Sequence, residues 1–575
     1  METNYDCIET PALIIGAGAA GLRTAIALAD RGMDCLVIGK RRHGDAHTRL
    51  AAGGINASLG HRDPQDRWTY HAADTLREGH FICDPHAVEY LCRNAPDRVR
   101  ELQSWGCPFS LMEDGRIDQR YFGAQTFRRT CFVGDRTGEA ILATLVDRAQ
   151  HLRIPWRDQV FISRLLVEDG VVGGALGFDT GSGRYLVFRA KAVVMAAGGF
   201  TRAYARSTSR PHENTGDSMA LAYLAGATLR DMEFVQFHPT GMVAPPSMAG
   251  DLVTEAVRGE GGRLFNAEGE RFMERYSPRK KELDARDVVA RAIYRELQAG
   301  RGTPSGGVWL DISHRDPRYI QERLPKMVGQ FRDNGIDITR EPMEVAPTAH
   351  YPMGGIQVDF QTGATGVPGL FAVGEATAGV HGANRLGGNS LAETLVFGER
   401  TGAFLSSFLV HHPFTPVGAS SIAVHLKPLE GMRNRSGHAA AALVQTLQAL
   451  LWNQAGIVRS KDGLESGLEK LRDLQSQASA LGGSRPDELA GTLHIQFMLM
   501  TAEAIFRSAL QRDESRGAHY REDAPEEQAS GRRNILCRGG DRGEITLWSE
   551  PVPEIPGTIQ NALDEELQAD YHHLE

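Results

Sequence analysis

The stretch PALIIGAGAAGLRTAIALADRGMDCLVIGK, residues 11–40, decides the fold. An apolar run at residues 13–15 predicts a buried strand, and residues 22–29 then place apolar side chains at helical spacing. Gly32 ends the helix, and residues 35–39 predict a second strand. This order of strand, helix and strand predicts a βαβ unit and hence a parallel sheet.

Glycines stand at the turn between the first strand and the helix. Gly16, Gly18 and Gly21 form a GxGxxG pattern, and Ala19 begins the helix. Such glycines let a pyrophosphate approach the backbone N–H groups and the positive end of the helix. The pattern alone also fits a tight turn without a ligand, but its place in a βαβ unit favours dinucleotide binding.

The second strand lacks the acidic residue that usually binds the ribose hydroxyls of a nicotinamide dinucleotide. It ends at Gly39 and Lys40 instead. The sequence therefore favours FAD, bound in another way and with Lys40 nearby, over a nicotinamide cofactor.

Two further buried strands are predicted far downstream, at residues 190–200 and 367–376. One sheet that takes strands from such distant places must be built from separated pieces. We therefore predict an α/β fold with a Rossmann-like FAD-binding domain, an inserted α+β capping domain, a helical domain and a C-terminal segment. The predicted bounds are 1–240 with 346–415 for the FAD-binding domain, 241–345 for the capping domain, 425–525 for the helical domain and 526–575 for the C-terminal segment.

Within these regions the local patterns are less specific. FNAEGERF (265–272) predicts a hairpin-like turn, and residues 285–300 predict a helix. Leucines at helical spacing over residues 464–474 indicate a core stripe, and no confident structure is predicted after residue 525.

Composition indicates a soluble globular protein. Of 575 residues, 41% are hydrophobic and 23% charged, and the net charge of −9 does not point to nucleic acid. No apolar run approaches the ~20 residues that cross a bilayer; the richest, residues 439–452, indicates a packed helix, and the first 16 residues do not resemble a signal peptide. Seven scattered cysteines without a CxxC pair predict reduced thiols, with no iron–sulfur cluster and no metal site in this chain.

Several polar clusters lie among glycines, as binding residues on loops often do. They offer Arg, His and Thr donors, which suit a small dicarboxylate because arginine binds a carboxylate through two hydrogen bonds. Any single arginine is more often a surface ion pair, so the case rests on all of the clusters occurring together. The clusters are FHPTG (237–241), VTEAVRGEGG (253–262), DARDVVAR (284–291), AHYPMGG (349–355) and HGANRLGGNS (381–390).

The order of these motifs resembles the flavoprotein subunit of the succinate dehydrogenase/fumarate reductase family. The resemblance covers about residues 10–410 and returns at RDESRGAHYRED (512–523). Besides the clusters above, its motifs are HTxxxxGGIN from residue 47, ENTGD (213–217), GERFMERY (269–276) and FAVGEA (371–376).

The resemblance implies a role for each matching position. It implies covalent attachment of FAD through His47 of the HT pair, with Thr48 beside it and Gly53 and Gly54 against the flavin ring. It places adenosine contacts at Asp217 and Glu375, and Arg385, Ser390 and Leu391 beside the ring and the substrate. The implied dicarboxylate ligands are His238, Thr254, His350 and Arg385; Arg286 is the implied proton-transferring residue, with Glu255 and Arg258 as its proton relay.

The family's chemistry implies hydride transfer between FAD and one methylene carbon of succinate, with proton transfer between the neighbouring carbon and Arg286. It also implies that the electron partner is an iron–sulfur protein subunit, which is joined in turn to a membrane anchor. The expected location is cytoplasmic, peripheral on the cytoplasmic face of a membrane, and the implied metabolic place is the tricarboxylic acid cycle.

Two alternatives stay open at this point. A soluble L-aspartate oxidase or a stand-alone fumarate reductase would share the substrate clamp; aspartate oxidases typically hold FAD without a covalent bond and have RLASNS where this chain has RLGGNS. An FAD-binding assembly or sensor protein would lack the clamp. The departures Ala52, Ala124 and Ser218 from the common family pattern bear on the direction of catalysis and on the docking partner.

Overall fold

A computed structural model describes residues 5–435, 440–539 and 544–565. The strands are β1 Tyr5–Ile15, β2 Cys35–Ile38, β3 Ile55–Asn56, β4 Gln119–Arg120, β5 Thr130–Cys131, β6 Trp156–Arg157, β7 Val160–Glu168, β8 Val171–Asp179, β9 Tyr185–Met195, β10 Leu229–Arg230, β11 Val235–Met242, β12 Arg263–Phe265, β13 Val308–Asp311, β14 Met343–Pro352, β15 Gly355–Ile356, β16 Leu370–Ala372, β17 Arg533–Gly539 and β18 Ile545–Pro551. The helices are α1 Ala19–Ala29, α2 Trp68–Glu78, α3 Pro85–Ser104, α4 Thr137–His151, α5 Asp217–Leu224, α6 Ala256–Gly259, α7 Met273–Tyr276, α8 Arg286–Gln298, α9 Pro317–Arg323, α10 Pro325–Arg332, α11 Asn389–His411, α12 Ala419–Arg433, α13 Ala440–Gln454, α14 Lys461–Ser479, α15 Pro486–Gln511 and α16 Gly557–Asp564.

The largest sheet of the described residues brings the three predicted strand regions together. Its order is β6-β2-β1-β9-β8-β7, and β16 pairs with β9. β1, β2, β9 and β16 run parallel, so Met195 lies beside both Ile15 and Ala372. The α/β fold class is thereby confirmed, including its construction from separated pieces of chain.

Two glycines of the GxGxxG pattern are required by packing at the first turn. Gly16 has φ +127°, and a Cβ there would lie 2.1 Å from the carbonyl oxygen of Ala196. A Cβ at Gly21 would lie 2.0 Å from the carbonyl oxygen of Gly16. Bare backbone at both positions lets α1 start directly above the sheet.

The chain enters and leaves the inserted region through paired strands. β11 and β14 run antiparallel, with β13 and β12 continuing the same sheet. A separate hydrophobic core, with buried members from Met242 to Val345, packs this sheet against helices that include α8 and α10. The predicted bounds 241 and 345 fall inside β11 and β14, and they stay predictions.

The predicted hairpin-like turn at residues 265–272 is present, but it does not join two paired strands. Asn266 and Glu270 do close a turn through backbone and side-chain hydrogen bonds, but the chain then enters α7. β12 pairs with the distant β13 instead. The local turn pattern was correct, while the strand partner lies more than 40 residues away.

The described residues of 425–525 are mainly helical, as predicted for that stretch. Leu464, Leu471 and Leu474 are buried on α14, and Leu468 packs partly buried beside them. Among the described residues, α15 rather than residues 439–452 is long and apolar enough to cross a membrane by length and composition. However, 78% of its apolar window is buried inside the protein. It packs against α13, α14 and α5, which is the environment of a core helix.

The segment after residue 525 has secondary structure that the sequence analysis missed. β17 joins β10 in one sheet and forms a hairpin with β18. α16 buries Ile559 and Ala562 against the region of α2.

Candidate active site

One cavity of about 690 Å³ collects almost all of the site residues predicted from the sequence. It extends from the glycine turn after β1 to the first residue of α8. Its predicted lining residues are Gly16, Gly18, Ala19, Lys40, His47, Thr48, Gly53, Gly54, Asp217, His238, Thr254, Glu255, Arg286, His350, Glu375, Arg385, Ser390 and Leu391. Gly21 and Arg258 are not among them: Gly21 packs behind the turn, and Arg258 is buried behind Glu255.

The glycine-turn end of the cavity is built by α1 and the turn His47–Leu50. Gly18 is the N-cap of α1 and presents no side chain. The N–H of Ala19 donates to the hydroxyl of Thr48 at 3.1 Å, which ties the two segments together. This hydrogen bond therefore fixes the position of the His47–Leu50 turn relative to the start of α1.

Lys40 lies at the end of β2 and pairs with Asp217, the first residue of α5. Lys40 Nζ is 2.8 Å from Asp217 Oδ2 and 3.0 Å from His494 Nε2. Burial alone would raise the pKa of Asp217, but the charge and hydrogen bond of Lys40, together with His494 and the hydroxyl of Thr215, lower this pKa to about 2. His494 belongs to α15, so the helical region reaches this end of the site, which the sequence analysis did not foresee.

His47 lies beside the carboxylate of Glu213 and within the electrostatic influence of Glu375. Its Nδ1 is 3.4 Å from Glu213 Oε2, and Arg210 holds Glu213 by two hydrogen bonds. Burial opposes the charged imidazolium, yet the hydrogen bond with Glu213 and the charge of Glu375 together raise the pKa of His47. Burial raises the pKa of Glu375 to about 7.

Gly53 and Gly54 line the cavity, and protein contacts also demand glycine there. A Cβ at Gly53 would lie 2.2 Å from the ring of Phe122. Gly54 has φ +143°, and a Cβ would lie 2.4 Å from Thr130. A side chain at either position would have to displace its neighbours.

The other end of the cavity holds a buried cluster of arginines around one carboxylate. Arg286 Nε donates to Glu255 Oε2 at 2.7 Å, and Arg258 approaches the same oxygen at 3.8 Å. The N–H of Gly123 donates to the other oxygen at 2.7 Å. Burial alone would raise the pKa of Glu255, but Arg286 and Arg258 lower it to about 2, so this carboxylate stays ionised.

Two histidines from neighbouring strands face the arginines. His238 on β11 and His350 on β14 have ring centroids 5.2 Å apart, and Thr208 shares a hydrogen bond with His350 Nδ1 at 2.9 Å. Burial lowers the pKa of both histidines well below the usual value, and the charge of Arg286 lowers both further. Both imidazoles are therefore neutral near pH 7.

Arg385 completes the cluster from the loop before α11. Its guanidinium lies 4.5 Å from the ring centre of Tyr351, and Nη1 donates to Ser390 Oγ at 3.3 Å. Burial lowers the pKa of Arg385 to about 9, with Arg286 acting in the same direction. Thr254 is fully buried just before α6, and Ser390 and Leu391 lie in the first turn of α11.

Gln236 is a site residue that the sequence analysis missed. Its Oε1 accepts from Arg286 Nη1 at 2.8 Å and from Arg385 Nη2 at 3.0 Å. A signal was present, because Gln236 stands two residues before His238 on the same strand. Alternate residues of a strand share a face, so the two side chains point the same way.

Comparison with known proteins gives a consistent answer. Residues 12–391 match the FAD binding domain family. The chain is 45% identical over 542 residues to a subunit of the fumarate reductase (CoM/CoB) of Methanothermobacter marburgensis, covering 93% of this chain and 98% of the relative. It is 39% identical over 587 residues to the succinate dehydrogenase flavoprotein subunit of Rickettsia bellii, covering 96% and 97%.

The chain belongs to the succinate dehydrogenase/fumarate reductase flavoprotein family. Residues 444–553 also match the family of fumarate reductase flavoprotein C-terminal regions. The matched residues include β17 and β18. Among solved structures, Mycobacterium smegmatis Sdh1 in complex with UQ1 matches with a TM-score of 0.87 and 38% identity, covering 99% of both chains. These relatives do not favour the alternative of a soluble L-aspartate oxidase.

FAD, the cofactor of this flavoprotein family, fits the residues present. The cavity offers bare backbone at Gly16 and Gly18 for a pyrophosphate. At its far end, His238 Nε2 and Arg385 Nε are buried without a hydrogen-bond partner among the described residues. Buried polar atoms are rarely left unpaired, so these two fit a site built for a polar ligand.

Proposed function

We propose that this chain interconverts succinate and fumarate as the catalytic subunit of its complex. The observation that carries the proposal is the charge of the cluster at the far end of the cavity. Arg258 and Arg286 pair with the carboxylate of Glu255, Arg385 lies beside Arg286 on the shared acceptor Gln236, and His238 and His350 are neutral. These three arginines and Glu255 together carry an excess of two positive charges, which suits the two negative charges of a small dicarboxylate.

The side chains divide the work of holding such a substrate. Arg385, His238, His350 and Thr254 surround the space and present donors to the carboxylates. Fixed donors of this kind stabilise the negative charge that grows on one carboxylate when the neighbouring carbon loses or gains a proton. Because the cluster is buried, these interactions act at low dielectric and are stronger than in water.

Arg286 holds the proton that the substrate exchanges. An arginine has a pKa above ~12 in water, so it is a natural donor in fumarate reduction and needs help as a base in succinate oxidation. Glu255 accepts a hydrogen bond from Arg286 at 2.7 Å and lies beside Arg258. These two residues are the proposed relay through which Arg286 gains or loses its proton. FAD, when bound, supplies the hydride acceptor or donor.

His47 is the proposed attachment point of FAD. It lines the cavity in the turn that follows β2, and the flavin-facing glycines Gly53 and Gly54 come six and seven residues later. Ser390 and Leu391 at the start of α11 face the same cavity, and Lys40, Asp217 and Glu375 are proposed at the nucleotide part of the cofactor.

Electrons are proposed to leave or reach the flavin through an iron–sulfur protein subunit that is joined to a membrane anchor. Among the described residues no group of His, Cys, Asp or Glu is arranged to hold a metal ion. The relatives from Methanothermobacter and Rickettsia are both named as subunits, which supports a multi-subunit assembly. We propose a cytoplasmic location, peripheral on the membrane through these partners.

The proposal is tested by the half-reactions of the purified flavoprotein without oxygen. Succinate should bleach the oxidised flavin, and fumarate should restore the colour of the reduced flavin, while aspartate should do neither. Bleaching by aspartate, or no response to either dicarboxylate, would overturn the assignment. Co-purification with a cysteine-rich protein tests the partner separately.

A further inference from the structure

Asn384 stands beside Arg385 in the chain and is completely buried. Its Nδ2 donates to Glu78 Oε1 at 2.8 Å and to Asp287 Oδ1 at 2.9 Å. Its Oδ1 accepts from Gln236 Nε2 at 2.7 Å. One amide thus uses both of its N–H groups and its oxygen, and all three partners lie on different elements.

The orientation of this amide is set by its ionised neighbour Asp287. Asp287 is paired with Arg291 at 2.7 Å, and although burial opposes ionisation, Arg291 lowers the pKa of Asp287. An ionised carboxylate can only accept hydrogen bonds, so the NH₂ end of Asn384 must face it. The oxygen of Asn384 must then face Gln236.

Gln236 passes this direction on to the substrate cluster. Its Nε2 donates to Asn384 and to the backbone oxygen of Arg385 at 2.8 Å, so its Oε1 must face the guanidiniums. That single oxygen accepts from Arg286 at 2.8 Å and from Arg385 at 3.0 Å. Two like charges are therefore held side by side by one acceptor.

We propose that Asn384 is a positioning residue that orients Gln236 and thereby holds Arg286 and Arg385 at the separation that the dicarboxylate reaction needs. The proposal rests on the proposed function of these two arginines. Asn384 itself does not line the cavity, so it acts through Gln236. Small displacements of reacting groups cost up to about a hundredfold in rate, which sets the expected size of its effect.

Asn384→Asp is the sharpest variant, because its side chain has the same shape and can titrate. As a carboxylate it cannot donate to Asp287, and kcat for succinate should fall by about tenfold to a hundredfold near pH 8. When protonated it regains an O–H donor for Asp287, while its carbonyl oxygen still accepts from Gln236. Activity relative to wild type should therefore recover as the pH is lowered to about 5.5, since neighbouring carboxylates raise the pKa of such a group.

Several charged groups surround Glu78 and Asp287, the two carboxyl groups that Asn384 contacts. Arg291 and His80 act on Asp287, and burial followed by the charge of Asp287 raises the pKa of Glu78 well above its usual value. The other charged groups near Glu78 are Lys280, Arg286 and Glu255. These residues are the same in every variant compared, so a recovery found only in Asn384→Asp comes from the carboxyl cluster that the new group forms with Glu78 and Asp287.

Asn384→Ser is the companion variant, and Asn266→Asp the control. Serine cannot reach all three partners and does not titrate in this range, so its loss of kcat should be the same at every pH. Asn266 is equally buried, and its amide donates hydrogen bonds to Glu270 and Glu296 in the capping region. Its change to Asp should therefore lower thermal stability and leave the pH profile of kcat unchanged.

Flavin content is measured in each variant. If Asn384→Asp does not retain FAD, the test is kcat of the flavin-loaded Asn384→Ser: a loss supports the positioning role of Asn384, and an unchanged kcat overturns it.

The outcomes separate the two proposals. Wild-type turnover with unchanged kcat in both Asn384 variants, or a loss in Asn384→Asp that is constant with pH, would overturn the role of Asn384 and leave the proposed function intact. Absence of succinate and fumarate turnover in the wild type would overturn the proposed function, and the positioning role with it. Loss of kcat with acid recovery in Asn384→Asp supports both.

Discussion

Arg286 and Glu255 form a buried ion pair in which Nε of the arginine lies 2.7 Å from Oε2 of the carboxylate. Arg286 is the first residue of α8, and Glu255 directly precedes α6, so two helices of the inserted region meet at this contact. Gln236 on β11 holds another N–H of the same guanidinium. The arginine is thus fixed from two sides, with its remaining surface toward the cavity.

Replacement of this arginine should affect turnover far more than folding. Arg286→Lys keeps a positive charge but loses the planar fork whose separate nitrogens bind Glu255 and Gln236. We expect kcat for fumarate reduction to fall by about 10²- to 10⁴-fold, the usual size of a lost acid–base contribution. Arg295→Lys, at an exposed position of the same helix, is the control and should leave kcat unchanged. Near-normal turnover in Arg286→Lys would remove Arg286 from the proton-transfer step.

The attachment of FAD is tested at His47. After denaturation in acid, the yellow colour of the wild type should stay with the protein, and in His47→Ser it should be released. His43→Ser is a matched control four residues earlier, since His43 pairs with Asp158 and stacks on Trp156 outside the cavity. Release of free FAD from the wild type would show that the flavin is not covalently bound.

Buried His71 should make the fold sensitive to acid. Burial lowers its pKa to about 3, while an unfolded histidine titrates near ~6.5. Between these values the unfolded chain binds a proton that the folded chain does not, so stability is lost as the pH falls from about 6.5 toward about 3. At about pH 5 the loss is on the order of 2 kcal/mol from this one group.

Thermal unfolding at about pH 7.5 and about pH 5 measures this effect. His71 shares a hydrogen bond of 2.8 Å with Asn389 at the start of α11, and glutamine can replace that contact without titrating. His71→Gln should show a smaller drop in Tm on acidification than the wild type, whereas exposed His86→Gln should keep the wild-type drop. Equal drops in all three proteins would assign the acid sensitivity to other groups.

Much of the fold was predictable because its decisive patterns are local. The βαβ unit is contained in residues 11–40, and the strands at 190–200 and 367–376 are short apolar runs beside glycines. The C-terminal hairpin was not predictable in this way. β17 is stabilised by β10, some 300 residues earlier, and no local period records that pairing.

The site residues that belong to sequence motifs could be predicted from the sequence. The motif residues are scattered over more than 300 positions, and family resemblance, rather than spacing, grouped them. An uncharged amide carries no chemical signal of its own, so the one sequence signal for Gln236 was its place two residues before His238 on β11. The importance of Asn384 follows from the three-dimensional chain of hydrogen bonds that ends on Arg286 and Arg385.

The most direct test of the account is a steady-state assay with succinate, fumarate and aspartate, using an artificial electron carrier and O₂ as acceptors in turn. A reduced carrier serves as donor for fumarate. The account predicts succinate oxidation and fumarate reduction with the carrier, and no oxidation of aspartate with either acceptor. Aspartate oxidation with O₂, or no turnover of either dicarboxylate, would contradict it.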